Sequence, residues 1–188
     1  MVVIGLGSAA WLVVRLWPYR YHGLLLEPAT PVADFALTGP EGRPVRLSDF
    51  RGKVTVLYFG YTYCPDVCPT TLAELARALQ RVGRRADQVQ VIMITVDPER
   101  DTPEILARYL AHFDARFLGL SGTAAEIAAA ATPLGIYFAK HEGTAATGYL
   151  VDHTATVAVI DRDGYLRLVF PFGTPGEDIA SDLIHLLK

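Results

Sequence analysis

The chain has 188 residues, 51% of them hydrophobic and 20% charged, with a net charge of -3. That length is most simply one domain with a core large enough to need no disulfide staples. The negative balance and the absence of any Lys/Arg run argue against nucleic acid as a partner, and two cysteines four residues apart, Cys64 and Cys68, form no disulfide framework.

Residues 1–14 carry no charge before Arg15. Residues 1–17 are therefore expected to be a hydrophobic signal or anchor segment, 18–30 a tether, and 31–188 the folded domain. The uncharged run spans only about 20 Å against a hydrocarbon core of ~30 Å, so spanning would need Arg15 to snorkel and Trp17 and Tyr19 to sit in the interface.

The domain opens with a short strand at 31–37, a turn at Gly39-Pro40-Glu41-Gly42 and a second strand at 44–47, an N-terminal hairpin. The near-continuous apolar run at 53–60 predicts a strand buried on both faces. After the cysteine segment, Leu72, Leu75, Ala76 and Leu79 recur at helical spacing up to Gly83. A buried strand follows at 90–96. Asp101-Thr102-Pro103-Glu104 then reads as a helix start, with an oxygen-bearing N-cap, proline near the first position and an acid in the first turn. A third strand at 117–120, a helix at 123–131, a hairpin of 156–160 with 166–170 turning at Asp161-Arg162-Asp163-Gly164, and a helix at 175–187 complete the chain. This order describes an α/β fold, a central mixed β-sheet flanked by helices. In such sheets ligands gather beyond the carboxyl ends of the parallel strands, where Cys64, Cys68 and Asp97 all fall.

In Gly60-Tyr61-Thr62-Tyr63-Cys64-Pro65-Asp66-Val67-Cys68-Pro69-Thr70-Thr71, each proline biases the cysteine before it away from the α conformation and favours a first helical turn. The helix is expected to begin at Pro69, with Cys68 near the N-cap and Cys64 in the loop. The helix start should lower the pKa of a thiol placed there. Thiolate is both metal ligand and redox nucleophile, so the pair alone leaves both chemistries open. A third ligand must come from elsewhere, and His153, in Asp152-His153-Thr154 before the hairpin strand, is the candidate. Two thiolates and an imidazole are a soft three-coordinate set that suits Cu(I). Asp97 or Asp152 is a candidate to orient the imidazole. His22, His112, His141 and His185 read as surface or satisfied core residues.

The motifs Tyr63-Cys64-Pro65-Asp66-Val67-Cys68-Pro69, Val96-Asp97-Pro98-Glu99-Arg100-Asp101-Thr102-Pro103 and Asp152-His153-Thr154, in this order over residues 31–187, resemble those of the Sco/SenC family of copper chaperones. The resemblance implies a thioredoxin-like fold and copper ligands at Cys64, Cys68 and His153. It implies Cu(I) as the cofactor, with Cu(II) left open, and a role in assembling the two-copper CuA centre of cytochrome c oxidase. The partners it implies are the oxidase subunit carrying that centre, other periplasmic copper carriers or thiol reductases, and the membrane. The location implied is the periplasmic side of the cytoplasmic membrane, held by the N-terminal segment.

The rival reading is a thiol–disulfide oxidoreductase that uses Cys64 and Cys68 without metal, which would need no imidazole. A peroxidase reading of Val67-Cys68-Pro69-Thr70 is weaker, because Pro65 and Tyr61 stand where the peroxidatic pattern places threonine three residues before the reactive cysteine.

Overall fold

In the structure, a computed structural model, residues 19–144 and 148–188 are described. Along them run strands β1 (Leu24–Pro31), β2 (Ala36–Thr38), β3 (Pro44–Arg46) and β4 (Val54–Gly60), helix α1 (Val67–Val82), β5 (Val89–Thr95), α2 (Pro103–Ala111), β6 (Leu118–Leu120) and α3 (Ala124–Ala131). Then follow β7 (Phe138–Glu142), β8 (Tyr149–His153), β9 (Val157–Ile160), β10 (Tyr165–Phe170) and α4 (Gly176–Leu186).

The central sheet has the order β1-β10-β9-β4-β5-β6. β4, β5 and β6 are mutually parallel, whereas β9 runs antiparallel to β4 and β10 and β1 continue antiparallel. The expected mixed sheet with flanking helices is therefore present. All seven residues of β4 are buried, as a strand covered on both faces requires. The stripe Leu72, Leu75, Ala76 and Leu79 is buried along α1, which packs against α4 and ends at Gly83 with φ 66°. At α2, Thr102 is the N-cap, its side chain accepting from the Ile105 N–H at 3.3 Å, with Pro103 in the first turn.

Three expectations change. Helix α1 starts at Val67, not Pro69, so Cys68 lies inside the first turn. Pro69 is tolerated there because a first-turn N–H has no partner within the helix anyway. Residues 18–30, expected as a tether, hold all but the last residue of the edge strand β1, which pairs with β10. Just before it, the buried carboxylate of Asp182 in α4 accepts from the Tyr19 hydroxyl at 2.8 Å and from the backbone N–H groups of His22 and Gly23, each at 2.9 Å.

The third change concerns location. A domain held on the periplasmic side by residues 1–17 does not stand, since no helix among the described residues is long and apolar enough to cross a membrane. Helix α1 has 16 residues and a polar face, short of the ~20 apolar residues a span needs. The anchor segment itself lies outside the described residues.

Asp182→Ala would strand the donors of residues 19–23 and is expected to lower stability by about 1–3 kcal/mol. Urea unfolding, read as a shift of midpoint at unchanged slope, checks this.

Candidate metal centre

Strand β4 ends at Gly60, and the chain turns through residues 61–66 before entering α1. This loop is held from outside. The fully buried carboxylate of Asp101 accepts from the Thr62 N–H at 3.0 Å, the Thr62 hydroxyl at 2.5 Å and the Thr95 hydroxyl at 2.7 Å. Burial raises the pKa of Asp101, and the donors from Thr62 and Thr95 oppose that rise. Within the loop the Cys64 N–H donates to the Tyr61 carbonyl at 3.3 Å, leaving Cys64 half-buried at the mouth, while Cys68 is completely buried in the first turn.

His153 is the last residue of β8, whose hairpin with β7 pairs His153 with Phe138. Tyr61 holds this strand against the cysteine loop, with its hydroxyl accepting from the Val151 N–H at 3.4 Å and its ring meeting the imidazole edge-on at 5.9 Å. The His153 Nδ1 lies 3.3 Å from the Thr154 carbonyl. A carbonyl can only accept, so Nδ1 is the donor there and Nε2 is the ring nitrogen left to face the sulfurs. That Nε2 stands 3.4 Å from the Cys68 Sγ. The sulfurs of Cys64 and Cys68 and a His153 ring nitrogen all lie within 4.8 Å of one another. The three expected site residues thus meet, and both cysteines are free thiols.

The two thiols are electrostatically unequal. The pKa of Cys64 is lowered to about 4, first by a hydrogen bond from the Cys68 side chain and then, against the cost of burial, by the backbone N–H groups of Cys68 and Asp66. The Cys68 N–H lies 3.4 Å from the Cys64 sulfur. Cys68 shifts the other way, raised by the Cys64 thiolate it bonds to and by burial. Between these directions, a proton is held in the unfolded chain by Cys64 and lost on folding, so its contribution is complete above the ordinary thiol value and disappears as pH falls toward about 4. Above the ordinary thiol range the sign reverses, because folded Cys68 keeps a proton that the unfolded chain gives up.

Neither acid expected beside the imidazole is there. Asp97 is buried, but it accepts from the Tyr149 hydroxyl at 2.6 Å and from the Arg100 Nε, and so holds the start of β8 rather than its end. Arg100 also donates to the Tyr149 carbonyl at 3.2 Å and lies over the Tyr149 ring. Asp152 points away, exposed, and meets His141 at 3.0 Å. Backbone alternation explains it, since neighbours along a strand face opposite sides. His22 and His185 pack at α4, and His112 caps α2.

The residues sequence reasoning passed over are Asp101, Tyr61 and Gly60. A Cβ on Gly60 would stand 2.8 Å from Tyr58 Cε1 and 2.9 Å from the Cys68 Sγ. The only sequence signal for it is a glycine closing an otherwise bulky apolar strand.

The family model described as SCO1/SenC matches residues 25–188. The chain is 35% identical to Protein SCO2 homolog, mitochondrial, of Mus musculus over 186 residues, 95% of this chain and 72% of that protein. The solution structure of apo Sco1 from Thermus thermophilus matches with a TM-score of 0.81 and 44% identity, covering 89% of this chain and 98% of that one. The structure of Bradyrhizobium japonicum ScoI with copper bound matches with a TM-score of 0.75 and 42% identity, covering 84% and 99%. The thioredoxin-like fold expected from the sequence is shared with these neighbours.

Alkylation of the metal-free, reduced protein is expected to be selective for Cys64, with a pH midpoint near 4, and Cys68→Ala should move that midpoint up toward the ordinary thiol range. Gly60→Ala is expected to displace the Tyr58 ring and the Cys68 sulfur, at a cost of about 1–3 kcal/mol in stability. Thermal unfolding of that variant beside wild type checks this.

Proposed function

The chain belongs to the SCO1/SenC family, and on that premise we propose that its cargo is one Cu(I), held by Cys64, Cys68 and His153. It is a copper chaperone of cytochrome c oxidase assembly. The observation that carries the ligand assignment is the convergence of two sulfurs and one ring nitrogen within 4.8 Å. Metal bonds of roughly 2.0–2.3 Å to such atoms place three ligands about 3.5–4 Å apart, so closing on an ion needs only small side-chain movements. Soft thiolates select Cu(I), and a three-ligand set lacks the fourth protein ligand of a structural zinc site.

The geometry divides the work between the ligands. Cys64, half-buried and already a thiolate at neutral pH, is the group an incoming or departing ion meets first. Cys68 is buried and protonated, and gives up its proton to solvent as the ion binds. His153 turns Nε2 toward the sulfurs, because its other nitrogen is engaged by the Thr154 carbonyl. Delivery is by ligand exchange, with Cys64 the first to release the ion to thiolates and imidazoles of the oxidase subunit that carries the CuA centre.

The same exposed thiolate supports the second activity, thiol maintenance. Cys64 attacks a disulfide of the target, one target sulfur leaves as a thiol, and Cys68 resolves the mixed disulfide. The target ends as a dithiol and the pair as Cys64–Cys68 disulfide.

Cu(I) added anaerobically to the reduced protein and competed against a Cu(I) chelator tests the site. Wild type is expected to bind about one ion per chain, with Cys64→Ser or Cys68→Ser abolishing it. His153→Ala should weaken binding by orders of magnitude while Cys64–Cys68 disulfide formation persists. Unchanged affinity in His153→Ala would remove the imidazole from the ligand set.

A further inference from the structure

The three proposed ligands arrive on two pieces of chain: the cysteine segment, which continues β4, and the β7–β8 hairpin, which lies outside the central sheet. Side chains, not a strand ladder, therefore set the distance between the sulfurs and the imidazole. Arg100 stands between the two pieces. Its Nη1 donates to the Tyr149 carbonyl at 3.2 Å, and its guanidinium carbon lies 3.7 Å from the centroid of the Tyr149 ring on β8. The same carbon lies 4.6 Å from the ring of Tyr63, the residue before Cys64, and 5.8 Å from the ring of Tyr61. All three rings are within the reach of a cation–π attraction. The arginine is itself rooted in the central sheet, because its Nε pairs with the buried Asp97, whose N–H donates to the Thr95 hydroxyl at the end of β5 at 2.9 Å. Its side chain is largely buried, and Nη2 is buried with no hydrogen-bond partner among the described residues. Such a guanidinium is held by its faces as well as by its edges.

A strand pinned at one point can pivot about it, whereas two pins fix its direction. Strand β8 has two, Arg100 at Tyr149 and the Tyr61 hydroxyl at Val151, and the line they define delivers His153 two residues further on. We propose that Arg100 is a positioning residue for the copper site: by clamping Tyr63 of the cysteine segment to Tyr149 of the hairpin, it fixes where the imidazole stands relative to the sulfurs. This rests on the Cu(I) assignment above. Copper affinity is then set partly by a residue that never touches the ion. Its effect runs through His153 alone, since a site of two thiolates without the imidazole gains nothing from a hairpin held in place.

Arg100→Lys keeps a positive charge for Asp97 but replaces the planar fork by a point charge that cannot lie flat between two rings and bond the Tyr149 carbonyl at once. In anaerobic competition against a Cu(I) chelator, the full-length variant is expected to bind one Cu(I) with about 10- to 100-fold lower affinity than wild type. Made in the His153→Ala background, the same substitution should change affinity less than about twofold, because the group it acts through is gone. Wild-type affinity in Arg100→Lys would overturn the proposal, and so would an equal loss in both backgrounds, which is what a general structural defect produces. The other jaw of the clamp gives a test that survives if Arg100→Lys fails to fold, since the Tyr63 ring is 61% exposed and no core depends on it. Tyr63→Phe, which keeps the ring, should bind as wild type does, while Tyr63→Leu should bind more weakly. Equal affinity in those two variants would overturn the clamp. Equal affinity in wild type and His153→Ala would instead sink the ligand assignment itself, which keeps the two failures apart.

Discussion

Asp101 receives three donors on a carboxylate with no exposure to solvent, and two of them come from Thr62, two residues before Cys64. The third, from Thr95, ties the same carboxylate to the end of β5. The Asp101 carbonyl accepts from Ser121 just after β6 at 3.1 Å. One residue thereby references the cysteine loop to the ends of two parallel strands. Without that anchor a six-residue loop would have to hold Cys64 near Cys68 by its own turn alone. Burial raises the pKa of Asp101, and the hydroxyl and amide donors oppose that rise.

On that frame the two thiols acquire different characters from positions only four residues apart. Cys68 sits in the first turn, under the sheet, with its proton retained. Cys64 sits at the mouth as a thiolate supported by N–H groups of the helix start. The third donor arrives on a separate two-stranded hairpin, β7–β8, that is not part of the central sheet. Its placement is managed at both ends: Asp97 and Arg100 hold Tyr149 at the start of β8, and Tyr61 reaches Val151 two residues before the histidine. The motif Asp97-Pro98-Glu99-Arg100-Asp101 therefore serves the site twice, through Arg100 and Asp97 toward the imidazole strand and through Asp101 toward the cysteine loop.

Much of the fold was legible because its periodicities are strong. The run at β4 is buried at every position, the α1 stripe is buried along its length, and the Thr102-Pro103-Glu104 start behaves as its residue types require. Two parts were not legible. Strand β1 carries two prolines and a glutamate in eight residues, a composition typical of linkers, and becomes a strand only because β10 offers it an edge. The β7–β8 hairpin reads Phe-Ala-Lys-His-Glu against Tyr-Leu-Val-Asp-His, half of it polar and much of it exposed, with no apolar alternation to announce it. Asp97 and Asp152 were expected near the imidazole on grounds of chain proximity, but a residue adjacent along a strand points to the opposite face, and Asp97 reaches only the far end of β8.

Residue types and their spacing settled the parts of the site: two thiols at a strand-to-helix junction, flanked by prolines, one candidate imidazole, and a mixed α/β sheet whose parallel strands end at the cysteines. Those properties are local, set by residue type and spacing within a few positions. Tertiary structure alone decided which thiol is exposed and which is buried, that the imidazole meets them through Nε2, and that Asp101, Tyr61 and Tyr58 surround them. These contacts join residues 39 to 95 positions apart, and the distances that matter among them are fixed by strand register and helix packing rather than by any pattern in the neighbouring sequence.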